Sequence, residues 1–324
     1  MASTELNLQD LRERLASHGV EDVRRLAGGA SSLTYLASLG DGGQVVVKVA
    51  PPGVAPVHHR DVLRQARLMR ALSATPVRAP EILWEDVGDP PDIPPLYAMS
   101  FLEGTSLEPL FDLDGHDDGE IVAARMRDAA RALAALHTVV PAHVGLASEP
   151  VIGPADEVER WSRLLETVDA SLAPGWEDVA KALHASEPPA LPPAIVHGDF
   201  RLGNLLARGA QVTGVIDWEI WNVGDPRVDL GWFLANADPA TYRRPTRYVS
   251  ALPSPDELAA IYAGALGREV PAVGWFRALA CFKSSATWSL IVKHNRRRSS
   301  PEPGLEAMAP VLPHLLERAR ELLD

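Results

Sequence analysis

The stretch Ile195–Trp218, IVHGDFRLGNLLARGAQVTGVIDW, constrains this chain more than any other. One apolar run ends at Val196, and a β-branched run, VTGVI, ends at Ile216, so the polar residues sit on a strand, a loop and a second strand. His197, Asp199 and Asn204 form an H-x-D-x-x-x-x-N loop, and Asp217 directly follows the second run. This set suits phosphoryl transfer from a magnesium nucleotide. One carboxylate can orient an acceptor hydroxyl, while a carboxamide and a second carboxylate offer the hard oxygen ligands that Mg²⁺ prefers.

At 324 residues the chain exceeds what a single core usually sustains, so two joined lobes are expected. A hydrophobic content of 46% with 23% charged residues is that of a folded globular protein. The net charge of −12 argues against broad nucleic-acid binding through a basic surface. No apolar run approaches the roughly 18 residues that cross a bilayer. The N-terminal segment is acidic and amphipathic, unlike an export signal, and the single cysteine, Cys281, cannot close an internal disulfide. A cytoplasmic protein with no nucleic-acid or membrane partner is the expectation.

Along the chain, residues 8–18 read as a helix, and Val23–Leu26, Leu33–Leu39 and Val45–Ala50 as strands. Gly40-Asp41-Gly42-Gly43 is a hairpin signal between the last two. A helix over Arg60–Leu72 and strands over Ile82–Glu85 and Leu96–Phe101 complete a β-rich lobe with one main helix. From Glu120 onward the pattern is helical: 121–138, 155–171, 177–185, 256–266, 272–292 and 305–323, interrupted by the motif strands. The expected division is a nucleotide-binding lobe at 1–102 and a catalytic, acceptor-binding lobe at 103–324.

Lys48 ends QVVVKVA after a small-residue segment, GGASS, that begins at Gly28-Gly29. A strand lysine there can bind α- and β-phosphates beneath a loop whose amides face the nucleotide. With GGASS, Lys48, YAMSFLEG, HGDFRLGN, GVIDWE and GDPRVDLGW in this order, the chain resembles the aminoglycoside phosphotransferase and choline-kinase-like superfamily. Within it, the resemblance is greatest to the hydroxyacyl-CoA kinase-like domains found alone or fused to acyl-CoA dehydrogenases, then to macrolide kinases. The resemblance implies an α+β, protein-kinase-like bilobal fold, with an N-terminal antiparallel sheet lobe carrying one main helix and a mostly helical C-terminal lobe. It implies ATP or GTP with Mg²⁺ as cofactors and a hydroxyl-bearing small molecule as the second partner. By the same resemblance Asp199 is the catalytic base, His197 braces its loop, and Asn204 and Asp217 hold Mg²⁺. Gly28, Gly29, Ser31 and Lys48 would meet the phosphates. Met99 would back the adenine pocket, and backbone groups of Ser100 to Leu102 would pair with the base. Asp229 matches a buried aspartate that holds loop amides; Asp225, before Pro226, reads as a helix cap.

Two positions depart from the superfamily pattern. The helix glutamate that would pair with the strand lysine is Gln65, so Lys48 is expected to rely on a weaker contact or on Asp61, one turn earlier. Arg201 stands where protein kinases commonly carry a lysine, and is expected either to fork onto the transferring phosphoryl group or to point to solvent. The last 54 residues carry eight Lys/Arg against five Asp/Glu, including Arg296-Arg297-Arg298, which favours an anionic or neutral acceptor, such as a hydroxyacyl-CoA, over a polycation. The competing readings are an antibiotic phosphotransferase, a non-catalytic nucleotide-binding protein and a metal-dependent hydrolase. The last does not explain Lys48.

Overall fold

The computed structural model describes residues 6–26, 32–113 and 115–324. The chain divides into two units, one comprising Met1–Gly104 with Thr213–Trp221, the other Thr105–Val212 with Asn222–Asp324.

The first unit is built on a five-stranded antiparallel sheet of order β1-β2-β3-β5-β4: β1 Val20–Arg25, β2 Leu33–Leu39, β3 Gln44–Val49, β4 Ile82–Asp86 and β5 Leu96–Ser100. Strand alternation decides which side chain faces where. Val45, Val47 and Val49 of β3 join Tyr35, Ala37, Leu96 and Ala98 in a core that takes in Leu11 and Leu15 of α1 (Leu8–Leu15). Lys48, between two of those valines, therefore projects from the other face. Helix α2 (Val62–Leu72) packs against β4 and β5, and Asp61 caps it by accepting the Arg64 N–H at 3.0 Å.

The segment Thr213–Trp221 returns to this unit, where the sequence expectation ran the second lobe unbroken from 103. Its ties are specific: Val215 N–H donates to Arg78 O at 2.7 Å, and the Thr213 hydroxyl to Glu103 O at 2.8 Å. Gly214 has no room for more, since a Cβ there would lie 2.4 Å from Leu102 Cδ1.

In the second unit, β6 (Val151–Ile152), β7 (Ala194–Val196) and β10 (Asn222–Gly224) form a small sheet of order β6-β10-β7. The helices are α3 (Gly119–His137), α4 (Pro154–Leu165), α5 (Trp176–Ala185), α6 (Arg227–Ala237), α7 (Pro239–Tyr242), α8 (Pro255–Leu266), α9 (Val273–Arg296), α10 (Pro303–Glu306) and α11 (Leu312–Glu321). Strands β8 (Leu205–Arg208) and β9 (Gln211–Val215) form a hairpin, and the chain passes to the first unit within β9. Every residue of α6 is buried, the mark of a helix at the centre of a helical layer. Gly231 lets α6 approach α9: a Cβ there would sit 2.3 Å from the Phe276 carbonyl oxygen. The expected helix 305–323 is broken into α10 and α11, with Pro310 and Pro313 unable to donate in a continuous ladder. Helix α4 stops at Leu165 rather than 171, and α9 runs to Arg296 rather than 292.

Candidate active site

In the first unit, Lys48 is 7% exposed, and its ammonium donates to Asp217 Oδ1 at 3.0 Å. Burial alone would lower the lysine's pKa, but the influence of Tyr97, Asp217 and Glu219 outweighs it and raises the value, so the ammonium stays charged. Asp217 has a left-handed backbone, φ 65°, a conformation that aspartate tolerates better than the β-branched residues before it. This turn ends the β9 run and leaves the Asp217 side chain 37% exposed, with one oxygen on Lys48 and the other available to a cation. Neither partner anticipated for Lys48 is used. Asp61 is committed to its helix cap, and Gln65 accepts from the Tyr97 hydroxyl and donates to His59 O, both at 3.4 Å.

In the second unit, β7 delivers His197 and β10 delivers Asp225, while Asp229 lies in the first turn of α6. Asp229 is fully buried, and its carboxylate accepts the backbone N–H groups of His197 at 2.6 Å and Gly198 at 2.8 Å. Burial pushes its pKa up, and His137, with His197 and its amide, more than reverses this, holding it below the usual carboxylate range. His137 faces it at 3.4 Å and is itself held by the Tyr262 hydroxyl at 2.6 Å. Asp229 is thus no exposed cap. Asp225 does accept the Arg227 N–H at 3.0 Å, as a cap would, and also forms a buried ion pair with that guanidinium at 2.7 Å.

The loop that follows presents Asp199. His197 Nδ1 accepts the Asp199 N–H at 3.1 Å, so the imidazole braces the loop and its own proton sits on Nε2. Three side chains donate to the Asp199 carboxylate: Trp232 Nε1 at 2.7 Å, Asn204 Nδ2 at 2.8 Å and Arg201 Nε at 3.2 Å. Asn204 Nδ2 also donates to Asp199 O at 2.9 Å, which leaves its Oδ1 uncommitted among the described residues. The carboxylate of Asp217 and the carboxamide oxygen of Asn204 are hard donors that fit Mg²⁺. Arg201 neither points to solvent nor stands free for a phosphate, since its guanidinium bridges Asp199 and Glu108, the latter at 2.8 Å. Burial raises the pKa of Glu108 despite that contact, so the pair is held in a poorly solvated place.

Gly28, Gly29 and Ser31 lie outside the described residues. Met99 and Ser100 belong to β5, and the Ser100 N–H already donates to Glu81 O at 2.8 Å, so it is not open to a base. Phe101 and Leu102 follow it outside the strand. The basic run is partly answered locally: Arg296 pairs with Glu306 at 2.6 Å and Arg298 with Glu302, so two of its three arginines already hold a carboxylate. Cys281 is buried, and burial pushes its thiol up to about 12. Glu108, His137 and Lys283 were not anticipated at the site. Lys283 carried a signal, a cation within the apolar run RALACFKSSATW, whereas nothing in GTSLEPLF marks Glu108. An open groove of about 400 Å³, bounded by Phe111, Asp112, Leu113 and Gly115, lies in the same unit.

The profile of the phosphotransferase enzyme family matches residues 22–279. Among curated proteins, mouse acyl-CoA dehydrogenase family member 10 is 28% identical over 232 residues, covering 68% of this chain and 21% of the relative. Chicken acyl-CoA dehydrogenase family member 11 is 28% identical over 223 residues, 66% of this chain and 28% of the relative. The matched region thus spans 21% and 28% of these relatives' lengths. Among solved structures, a Ralstonia eutropha protein classed with the aminoglycoside phosphotransferases superposes with a TM-score of 0.78 at 22% identity, covering 98% of this chain and 99% of that one. A macrolide 2'-phosphotransferase from Brachybacterium faecium gives 0.60 at 21% identity, over 94% and 98%. A choline/ethanolamine kinase family protein from Mesorhizobium loti gives 0.61 at 16%, over 98% and 95%. These likenesses show the α+β, kinase-like fold.

Proposed function

We propose a function from one premise: this chain belongs to the phosphotransferase enzyme family. In this reading it transfers the γ-phosphoryl group of Mg-ATP, or Mg-GTP, to a hydroxyl of a small molecule. The observation that carries it is the Asp199 carboxylate, fixed by three side-chain donors on a loop whose amides are tied to buried Asp229. Such a carboxylate can receive the acceptor's O–H and aim its oxygen at phosphorus. As the O–P bond forms and the bond to the bridging β–γ oxygen breaks, the proton passes to Asp199. The barrier is lowered chiefly by positioning and charge neutralisation. In this reading Lys48, Gly28, Gly29 and Ser31 meet the phosphates, and Met99 and Leu102 meet the base. Asn204 and Asp217 would hold Mg²⁺, whose charge offsets that of the phosphates. Before a nucleotide arrives, the ion pair with Asp217 keeps Lys48 charged and in place.

The names of the curated relatives support an acceptor carried on coenzyme A, a hydroxyacyl-CoA. With Arg296 and Arg298 already paired with carboxylates, the basic run offers that acceptor's phosphates less free positive charge than its sequence suggests. Calorimetry of ATP and GTP, with and without Mg²⁺, tests the nucleotide half. The expected outcome is Mg²⁺-dependent binding that Asp217→Ala abolishes. Absence of binding in the wild type would favour a non-catalytic protein.

A further inference from the structure

Lys283, on α9, is 5% exposed, yet no carboxylate touches it among the described residues. An ammonium cut off from water in this way is costly unless something replaces the lost hydration. Here the replacements are a carbonyl and two indole faces. Its Nζ donates to Gly198 O, lies 3.8 Å from the ring centroid of Trp232, and lies 5.3 Å from that of Trp161. Each indole then donates its N–H to a carboxylate, Trp232 to Asp199 at 2.7 Å and Trp161 to Glu157 at 3.0 Å. The arrangement is a cation held between two rings, with one anion at the edge of each.

The geometry is directional. A cation over an aromatic face draws electron density from the ring and makes the indole N–H a stronger donor. The hydrogen bond from Trp232 to Asp199 is therefore reinforced from behind by Lys283. The same ammonium grips the carbonyl of Gly198, the residue before Asp199, whose φ of 86° sets the direction of the loop. Backbone and side chain of Asp199 are steered by one buried charge. Burial holds the Lys283 pKa below the usual lysine value, against the upward pull of Asp199, Glu157 and Asp229, and Arg160, stacked at 4.8 Å on Trp161, adds to the fall.

We propose that Lys283 is a positioning residue that fixes Asp199 for phosphoryl transfer through the Trp232 indole and the Gly198 carbonyl. This rests on the reading of Asp199 as the residue that receives the acceptor hydroxyl. The test uses Lys283→Met, Trp232→Phe and the double variant in the full chain. Active sites are counted by calorimetric nucleotide stoichiometry, and the Trp232 indole N–H is followed by NMR at fixed pH, its signal assigned by its loss in Trp232→Phe. Lys283→Met is expected to lower kcat about 10-fold or more, the scale of a misplaced catalytic group, with the nucleotide KM nearly unchanged. The indole signal should move upfield, and adding Trp232→Phe should cost much less than the product of the single losses. An unmoved indole signal, or losses that multiply, would overturn the proposal. If Lys283→Met does not fold, Trp232→Phe alone decides. It keeps a ring for the ammonium but removes the donor, so undiminished kcat per active site would overturn the proposal and a tenfold loss would uphold it. A wild type that binds no nucleotide, together with an indole signal that moves in Lys283→Met, would sink the proposed function while leaving the coupling intact.

Discussion

At the scale of single residues, the strongest constraint on the candidate site is a carboxylate that touches no substrate in the proposed reaction. Asp229 accepts two successive amides, of His197 and Gly198, in full burial, and its folded pKa is depressed. A depressed carboxylate stabilises the fold fully above its unfolded value, near ~3.9, and loses that contribution as the pH falls through the lower folded value. Asp229→Asn is therefore expected to cost about 2–4 kcal/mol at pH 7, as loss of a buried charge-assisted network does. Denaturant titrations should show the gap from wild type narrowing below about pH 4. A gap independent of pH would mean that the charge of Asp229 contributes nothing. His197, Asp199, Asn204 and Asp217 were legible in the sequence because motif chemistry fixes their spacing. Partners brought in from distant segments were not: Glu108 is separated from Asp199 by three helices and two strands, and the cation that Lys283 places in an apolar run gives no sign of which rings surround it.

At the scale of elements, alternation and punctuation carried most of the fold. The valines of β3 set its buried face, and with it the face of Lys48, from period two alone. Strands of two or three residues, β6 and β10, have too few positions to show a period, which is why they were not foreseen. The close contact of α6 with α9 was equally hidden, since it depends on the missing Cβ of Gly231. Gly231→Ala would meet a backbone oxygen that cannot swing away, at a cost of about 1–3 kcal/mol, more than the gain in helix propensity. The thermal midpoint should fall by a few degrees, about 2–4 °C per kcal/mol. Gly264→Ala in α8, where nothing lies within 4 Å of the added Cβ, should leave the midpoint unchanged or raise it. If both variants behave alike, close packing at Gly231 is not what holds α6 in place.

At the scale of the whole molecule, the two units divide the proposed chemistry. Lys48 and Asp217 belong to one, His197, Asp199, Arg201 and Asn204 to the other, and β9 carries the chain between them. Sequence order alone suggested a single cut near 102, because propensity and composition change there. That Thr213–Trp221 returns to the first unit is decided by hydrogen bonds to Arg78 and Glu103, which no local pattern records. No helix among the described residues is long and apolar enough to cross a membrane. Transfer of a phosphoryl group to a hydroxyl, with Asp199 receiving the acceptor, is the reaction proposed for this chain. The most direct test follows Mg-ATP and a hydroxyacyl-CoA by ³¹P NMR with wild type and Asp199→Asn. The expected result is a new phosphate-ester signal matched by ADP in the wild type, and a rate lower by roughly 10²-fold or more in Asp199→Asn. Inorganic phosphate without an ester, or an ester formed equally fast by Asp199→Asn, would contradict it.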